Sequence, residues 1–481
     1  MGIGIISISW GSTWWYTRAP TDIKLVRISD NELIALCTDL IGKDNVSLFE
    51  RLEPNLHRRI VNSLAPDSLP PACVIYPQTI AELSAAITLA CNYSLRVLPC
   101  GSATKLDWGG LVSRADLVVS TAMLDRPIEH CVGDLTVTVE AGVKYRDLQA
   151  LLAKQGQFLA IDPPYAAEAT MGGILATGSS GSLRHRYNSV RDMCLGIEFV
   201  RADGALVKAG GRVVKNVAGY DLMKLLTGSY GTLGIVSSIT FRLYPLPEYN
   251  QIVVLTGTAE AIATAQQQIS TSVLTPTACD LLSATAITDL GLGQAMGLVM
   301  QFSSLKASVI AQGDRLATLA KELNLEVQVL GETCEFWELL EILIWQDELR
   351  NLSPALTPST DNGDYVICKL GILPSVSVTF LQQCEQIFDS QSYYLQIHTG
   401  SGLGILRVEE VGDLEAIATQ IAKVRSLVEA HQGFLTILEA PQELKFKTNV
   451  WGYTGNASDL MGKIRQQFDP RSLLSPDRMF S

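Results

Sequence analysis

The stretch CVIYPQTIAELSAAITLACNYSLRVLPCGSAT, residues 73–104, decides the fold of the first part of the chain. Residues 73–76 and Arg96–Leu98 are short and apolar, a pattern typical of strands. Between them, Thr79 and Glu82 have the spacing of a capping box. The helix that they open has a single apolar face formed by Leu83, Ile87, Ala90 and Cys91. The order strand, helix, strand favours parallel pairing and an α/β unit.

Small residues dominate two loops downstream of these strands, PCGSAT at 99–104 and TMGGILATGSSGS at 170–182. Glycine costs entropy in the unfolded chain, so such segments mark a backbone that approaches something closely. Successive backbone amides in a loop of this kind can hold a phosphate. One loop alone would be explained as a structural turn. Two of them favour a ligand that both contact, although glycine-rich turns remain the alternative.

The composition excludes several classes of function. The chain has 481 residues and a formal net charge of −12. Its hydrophobic fraction, 47%, is typical of globular proteins. At roughly 100 to 200 residues per domain, the length predicts two to four domains. An acidic protein lacks the clustered Lys and Arg that grip nucleic acids and anionic lipids. We therefore predict no nucleic-acid partner.

Cysteine and histidine spacing excludes metal centres of the usual kinds. The ten cysteines include no Cys-x-x-Cys pair, which indicates reduced cytosolic thiols and no iron–sulfur cluster on this chain. The five histidines form no His-Glu-x-x-His motif. There is also no Gly-x-Gly-x-x-Gly after a strand and no P-loop. We predict no metal, no Rossmann nicotinamide site and no P-loop nucleotide site.

The chain divides at its breaker-rich segments. Residues 1–29 are apolar but lack a basic start, so we expect a disordered leader rather than a signal peptide or anchor. Residues 30–69 are a helical lead-in that ends in APDSLPP, and the next domain, 70–247, ends at the Pro245 and Pro247 breaks. In it, residues 134–142 alternate as a half-buried strand. Residues 248–481 form the last domain and end in a return segment.

The last domain has the pattern of a ferredoxin-like sheet. From about residue 365 the order is strand, helix, strand, strand, helix, strand. The second helix, 413–431, has a continuous apolar face. Residues 250–350 hold a looser version of the same alternation, which suggests a related half.

Three blocks resemble a known flavoprotein family. They are VLPCGSATKLDWGGL at 97–111, AIDPPYAAEATMGGILATGSSGSLRHRYNSVRDMCLGIEFVRADG at 160–204, and KAGGRVVKNVAGYDLMKLLTGSYGTLGIVSSITFRLYPLP at 208–247. In this order they are similar to the FAD-contacting blocks of the p-cresol methylhydroxylase/vanillyl-alcohol oxidase (PCMH-type) family. The run from Arg212 to Val236 resembles the E subunit of glycolate oxidase. The resemblance implies an α+β fold, with a bipartite FAD-binding domain at 70–247 and a ferredoxin-like antiparallel-sheet substrate or cap domain at 248–481.

The resemblance also implies which residues contact FAD. The loop at 99–104 would cradle the pyrophosphate, and the small residues at 162–181 would line the ribityl and flavin side. Gly234 and Ile235 would contact the cofactor from the last strand of this domain. The implied cofactor-binding residues are Pro99, Cys100, Gly101, Ser102, Ala103, Thr104, Asp162, Thr170, Gly172, Gly173, Ala176, Thr177, Ser179, Gly181, Gly234 and Ile235.

Some members of the family tether FAD covalently through His or Cys. Ser102 and Ala103 stand where that histidine occurs, and the neighbouring Cys100 stands at a position that glycolate-type members fill without a tether. The resemblance therefore implies non-covalent FAD.

The chain departs from the family in its substrate domain. Hydroxyacid-oxidising members that resemble the D subunit of glycolate oxidase carry two histidines seven positions apart and a later Glu-His-Gly. Here His398 matches the first histidine, Ile405 stands at the second, and Glu439 begins the segment in place of the last motif. His398 is the only candidate general base, because histidine titrates near neutral pH. The alternative is a histidine that is merely hydrogen-bonded at a strand end.

A basic cluster, Arg184, His185, Arg186 and Arg191, has two explanations. It either attracts a carboxylate or the flavin phosphates, or it is a solvated face.

Three functions follow from these patterns. The first is an FAD-dependent subunit of a glycolate oxidase or dehydrogenase that oxidises glycolate, or a similar 2-hydroxyacid, to glyoxylate. Its implied partners are a catalytic flavin subunit and an iron–sulfur subunit, and its implied location is the cytoplasm, with membrane contact at most peripheral through those partners. The second is an autonomous FAD-dependent dehydrogenase of the D-lactate kind. The third is a non-catalytic scaffold subunit without bound flavin.

Overall fold

The computed structural model describes residues 28–212, 220–331, 335–345, 365–389, 391–409, 412–453 and 456–479. The predicted leader falls almost wholly outside the described residues. No helix among the described ranges is long and apolar enough to cross a membrane.

The first sheet runs the two predicted strands parallel, as expected, but they do not pair with each other because a further strand lies between them. Its elements are α1 (Asp30–Ile41), β1 (Val46–Leu48), α2 (Pro54–Ser63), β2 (Cys73–Ile75), α3 (Ile80–Tyr93), β3 (Val97–Cys100) and β4 (Leu117–Ser120). The strand order is β1-β2-β4-β3, with β4 parallel to both β2 and β3. The lead-in is helical as predicted, but it also supplies β1, which pairs antiparallel with β2.

Helix α3 begins as its sequence predicts, with one change. The Thr79 hydroxyl accepts the Glu82 N–H at 3.1 Å. The Glu82 carboxylate, however, accepts the N–H of Gln78 at 2.7 Å, so the second half of the capping box is displaced by one residue. The predicted face is buried at Leu83, Ile87 and Ala90.

The second sheet is antiparallel. Its segment comprises β5 (Pro127–Cys131), β6 (Thr136–Glu140), α4 (Tyr145–Ala153), β7 (Gln157–Phe158), α5 (Met171–Thr177), α6 (Arg184–Tyr187), α7 (Val190–Met193), β8 (Cys194–Val200), β9 (Leu206–Gly210), α8 (Leu222–Leu226), β10 (Ile235–Arg242) and β11 (Tyr244–Pro245). The order is β5-β6-β10-β8-β9, and β7 pairs with β11. The strand predicted as half-buried, β6, is more buried than that because it lies inside the sheet, with only Thr138 partly exposed.

The third sheet, called the cap sheet below, has eight strands. Its segment comprises β12 (Tyr249–Thr256), α9 (Ala259–Ser270), β13 (Ala278–Leu282), α10 (Ala284–Asp289), β14 (Gly297–Ser304), α11 (Lys306–Glu322), β15 (Glu326–Leu330), α12 (Glu335–Trp345), β16 (Val366–Gly371), α13 (Ser377–Ile387), β17 (Tyr393–His398), β18 (Leu403–Val408), α14 (Leu414–Ala430), β19 (Phe434–Glu439), α15 (Gln442–Lys447) and α16 (Ala457–Phe468).

The cap sheet consists of two ferredoxin-like halves. The order β15-β12-β14-β13-β17-β18-β16-β19 places four strands from each half side by side, and every pairing is antiparallel. The halves join where β13 pairs with β17. The predicted ferredoxin-like order, the related half and the helix over 413–431 are therefore confirmed, and so is the α+β class. The domain boundary at residue 247 stays a prediction.

The end of the chain returns to the first sheet. The Val97 N–H donates to Leu473 O at 2.8 Å, and the Ser475 N–H donates to Val97 O at 2.9 Å. Leu474 is fully buried in the core between the first sheet and α1 and α3. This return places residues 470–479 beside the loop that follows β3.

Candidate cofactor and substrate site

A cavity, called the cradle below, lies where the loop after β3 meets the start of α5. Most of the residues that the resemblance assigns to FAD line it, namely Pro99, Cys100, Gly101, Ser102, Ala103, Thr104, Thr170, Gly172, Gly173, Ala176, Thr177, Gly234 and Ile235. Asp162, Ser179 and Gly181 instead line a second cavity. Lys105, Tyr230 and Arg478 also line the cradle, although the sequence did not single them out.

The cradle offers free backbone donors. The carbonyls of the loop are occupied, since Cys100 O accepts the Thr121 N–H at 2.9 Å and Gly101 O accepts the Ser120 hydroxyl at 3.0 Å. The N–H groups of residues 101–105 donate to no residue within the described ranges. Amides left unpaired in one loop are the donors that a phosphate needs. The cradle therefore fits a pyrophosphate.

Two of the cradle's glycines are required by packing within the protein. A Cβ at Gly101 would lie 2.0 Å from Thr170 Oγ1, and one at Gly172 would lie 2.8 Å from the Ala141 Cβ. Thr170 also caps α5, accepting the Gly173 N–H at 3.3 Å. Gly101 thus lets the loop approach the start of α5, and Gly172 lets α5 approach Ala141 after β6, so both contacts shape the cradle. The sequence predicted a close approach in this segment but not a helix.

The second cavity, called the cap cavity below, has a volume of about 250 Å³ and lies between α5 and the cap sheet. It shares Thr177 and Tyr230 with the cradle, so the two cavities adjoin. Its aromatic wall includes Trp108, Trp337 and Trp345. Its polar lining includes Asp162, Ser179, Gly181, Glu341, Lys369, Gln396 and His398.

His398 is held by a buried aspartate of the other half of the cap sheet. Its Nδ1 lies 2.8 Å from Asp280 Oδ1, which is fully buried. Asp280 also accepts hydrogen bonds from the Ser182 hydroxyl and, at 2.7 Å, from Gln396 Nε2. Although burial alone would lower it, the pKa of His398 is raised by the Asp280 charge and hydrogen bond. Because Nδ1 is engaged, the proton-accepting atom available to the cap cavity is Nε2.

Asp162 and Lys369 have perturbed pKa values in the same cavity. Burial raises the pKa of Asp162 to about 7, against hydrogen bonds from the N–H groups of Leu183 at 3.0 Å and Gly181 at 3.1 Å. Burial lowers the pKa of Lys369, and Arg184 adds to this effect. Lys369 has no ion-pair partner within the described ranges, so the cavity contains an uncompensated cation.

The position that departs from the family faces the same cavity. Ile405 pairs with Gln396 on one side and with Lys369 on the other, and all three line the cap cavity. Glu439 does not line the cap cavity. Its carboxylate accepts hydrogen bonds from Trp108 Nε1, from Tyr165 OH at 2.8 Å and from Tyr365 OH at 2.9 Å. Within the described residues, no three His, Cys, Asp or Glu side chains are placed to hold a metal ion.

The predicted basic cluster is divided in the structure. Arg184, His185 and Arg186 form α6, and Arg191 lies on α7. The His185 Nδ1 atom is buried without a partner, and its ring faces Gly400 at the end of β17. Arg184 acts on the pKa of both Lys369 and His398. This part of the cluster therefore adds positive potential to the cap cavity.

Asp280, Lys369 and Arg478 were missed from sequence. Each had one signal, because ACDLL and VICKLG each place a single charge in an otherwise apolar strand, and Arg478 lies in the closing segment SPDRMF. A charge in a buried strand is costly unless it is paired or functional. The sequence alone gives no indication of which cavity each side chain lines.

Comparison with known proteins agrees with the geometry. Residues 71–210 match a family described as an FAD binding domain. The chain is 33% identical over 184 residues to the mitochondrial D-lactate dehydrogenase (cytochrome) of Arabidopsis thaliana, which is 38% of this chain and 32% of that protein. It is 25% identical over 428 residues to the glycolate oxidase subunit GlcD of Bacillus subtilis (strain 168), covering 85% of this chain and 89% of that subunit.

Two further similarities bear on the subunit and the fold. The chain is 42% identical over 115 residues to the glycolate oxidase subunit GlcE of Escherichia coli (strain K12), 24% of this chain and 33% of that subunit. The match to the Arabidopsis dehydrogenase likewise spans about a third of the relative. The structure of p-cresol methylhydroxylase with substrate bound superposes with a TM-score of 0.70 at 13% identity, over 93% of this chain and 96% of that one. This likeness shows the fold.

Proposed function

We propose, on the premise that this chain belongs to the FAD-binding PCMH-type flavoproteins, that it is an FAD-dependent subunit of a glycolate oxidase or dehydrogenase complex. FAD is its cofactor, and bound FAD supplies a hydride acceptor. One observation carries the proposal: a cavity with a histidine–aspartate pair and an unpaired lysine adjoins the cradle across Thr177 and Tyr230. A 2-hydroxyacid needs such a base and such a cation.

The residues of the cap cavity have separate roles in this proposal. Lys369 attracts the substrate carboxylate by charge. His398 removes the hydroxyl proton at Nε2, while Asp280 holds Nδ1–H and stabilises the imidazolium that forms. The aromatic wall of Trp108, Trp337 and Trp345 excludes water from the reacting carbon. Asp162 and Gly181 are proposed to contact FAD from this side, as the resemblance implies.

The flavin is proposed to be non-covalent. Cys100 is the cysteine that lines the cradle among the described residues. Its burial raises the pKa of the thiol to about 12, although Ser120 and Arg478 act in the opposite direction. A thiol with this pKa is protonated at neutral pH and is a poor nucleophile.

Ile405 supports an assisting role in a complex. The family's second histidine would stand in the cap cavity between Gln396 and Lys369, where Ile405 offers no ligand atom. We propose that a catalytic flavin subunit carries the complete hydroxyacid site and that electrons leave through an iron–sulfur subunit. Any membrane contact would be peripheral, through those partners.

The second candidate is an autonomous dehydrogenase for D-lactate or a similar 2-hydroxyacid. It is favoured by the presence of a base with its orienting carboxylate and of a cation in one cavity. A flavin-free scaffold fits less well, because a scaffold has no use for the unpaired amides of residues 101–105.

The visible absorption spectrum of the purified chain separates these functions. The spectrum is taken anaerobically before and after glycolate or D-lactate, first alone and then with the partner subunits. The proposal expects a flavin band that bleaches only when the partners are present. Bleaching of the chain alone would establish the autonomous dehydrogenase instead. A colourless chain that takes up no added FAD would leave the scaffold.

A further inference from the structure

Arg478 reaches the cradle from the far end of the chain. It belongs to the return segment after α16 and is only 3% exposed. Its Nη2 donates to Trp108 O at 2.9 Å and to Leu106 O, so the return segment is tied to the end of the cradle loop. The guanidinium therefore lies at the cradle wall next to the loop with unpaired amides.

Among the residues that the structure describes, no carboxylate forms an ion pair with Arg478. Asp107 is the carboxylate that acts on it, and Asp107 already forms an ion pair with Arg59 at 2.9 Å. Its Nε is buried without a hydrogen-bond partner. Burial lowers the pKa of Arg478 to about 10, so the side chain stays charged at neutral pH. A buried, uncompensated cation is destabilising until an anion joins it.

The other cation in the cradle is placed differently. Lys105 Nζ lies 3.3 Å from Pro164 O and 3.4 Å from Thr104 Oγ1, and it sits over the Trp108 ring. Burial lowers the pKa of Lys105 to about 7, so Lys105 holds its charge at neutral pH less firmly than Arg478 does. Arg478 is thus the permanent charge in the cradle.

We infer that Arg478 binds the pyrophosphate of FAD, and that the pyrophosphate supplies the counter-charge that this guanidinium lacks. The inference rests on FAD as the cofactor and does not depend on the substrate. It assigns to the last residues of the chain a binding role that complements the loop at 99–104. It also means that the return segment is locked in place when FAD binds.

The test compares Arg478→Gln with the matched control Arg425→Gln. Arg425 on α14 also has a buried Nε without a partner and donates to a backbone carbonyl, Leu435 O at 3.3 Å, but it lines neither cavity. The dissociation constants of FAD, ADP and adenosine are measured on the flavin-depleted full chain. Thermal unfolding is followed with and without FAD.

Loss of a charge-assisted hydrogen bond predicts that Arg478→Gln weakens FAD and ADP on the order of 10- to 100-fold, with adenosine unchanged. The flavin-free variant should unfold at the same temperature as wild type or higher, because the uncompensated charge is gone. Arg425→Gln should leave all three dissociation constants unchanged. Arg478→Lys, which keeps the charge but not the planar fork, should lie in between.

Four results would overturn the inference. One is an Arg478→Gln protein that binds FAD and ADP as wild type does. Another is equal weakening of ADP and adenosine, which would indicate a structural role. If Arg478→Gln fails to fold, an Arg478→Lys protein with wild-type FAD and ADP affinity would count against it. A wild-type chain that binds neither FAD nor ADP would refute the cofactor itself, and the inference with it.

Discussion

In the proposed mechanism, Asp280 sets the pH range in which His398 can act as a base. The base must be neutral, so turnover should rise as pH increases through the pKa of His398, which Asp280 holds above its ordinary value. Replacing Asp280 with Asn keeps an acceptor for Nδ1–H but removes the charge, so burial then dominates and the pKa of His398 should fall. We expect the acidic limb of the kcat/KM profile to move to lower pH.

The shift can be measured without turnover. With five histidines in the chain, the imidazole signals can be assigned by substitution and titrated by NMR. Ser182→Ala is the control, because it removes one hydrogen bond to Asp280 while leaving the carboxylate charge, and it should move the pKa of His398 less. An acidic limb that stays in place in Asp280→Asn would show that His398 is not the base.

Lys369 should act on binding more than on chemistry. Replacing it with Met preserves length and removes the charge, so KM for glycolate should rise about 10- to 100-fold, the equivalent of a lost charged hydrogen bond, while kcat changes less. Lys423→Met, on the exposed face of α14, is the matched control and should leave KM unchanged. Equal losses in kcat for both variants, with KM constant, would remove Lys369 from the substrate site.

At the scale of elements, the contact between the cradle loop and α5 makes two residues interdependent. Gly101→Ala places a Cβ against Thr170 Oγ1, and overpacking of this kind costs about 1–3 kcal/mol of unfolding free energy. Thr170→Ala loses the cap of α5, about 1 kcal/mol. The double variant should be more stable than the sum of the two losses predicts, because the second change removes the clashing oxygen.

Urea unfolding of the four proteins, with FAD content measured alongside, tests this coupling. Additive losses would mean that the loop moves away from α5 without strain. The same contact explains why flavin loss in a Gly101 variant does not by itself identify the cradle: the substitution displaces α5 as well.

Local patterns predicted the elements, and long-range contacts set the site. The capping residue of α3, the apolar face of α14 and the succession of strands and helices along the second cap half are short-range features, so the sequence predicted them. The close approach at 170–182 was predicted, yet α5 was not, because small residues and glycines hide its helical pattern. The loop at 99–104 was predicted as part of the site for the same local reason.

The missed residues have partners far away in sequence. Asp280 and His398 lie opposite each other on the neighbouring strands β13 and β17, which are 118 residues apart in sequence. Arg478 contacts the loop after β3, which is 370 residues away in sequence. No periodicity connects such positions. The one signal of Asp280 is a charge in an apolar run, and only the pairing of strands shows which cavity that charge enters, whereas Arg478 lies in no strand at all.

At the scale of the whole molecule, the return segment should hold the two ends of the described chain together. Leu474→Ala empties a fully buried position between the first sheet and the helices α1 and α3, which costs about 2–5 kcal/mol. Leu460→Ala on α16 changes a leucine that is 61% exposed and should change stability by less than about 0.5 kcal/mol. Thermal or urea unfolding measures both, and equal effects would contradict this account of the return.

The seam between the halves of the cap sheet gives the site a mechanical property. The β13–β17 ladder pairs Asp280–Leu282 with Gln396–His398 and has one flanking backbone hydrogen bond at each end, whereas β12 pairs with β14 along all of Tyr249–Thr256. A force that pulls the halves apart acts on this short ladder, and the Asp280–His398 pair belongs to it. In a force-extension experiment, separation of the two halves would therefore take the orienting carboxylate away from His398.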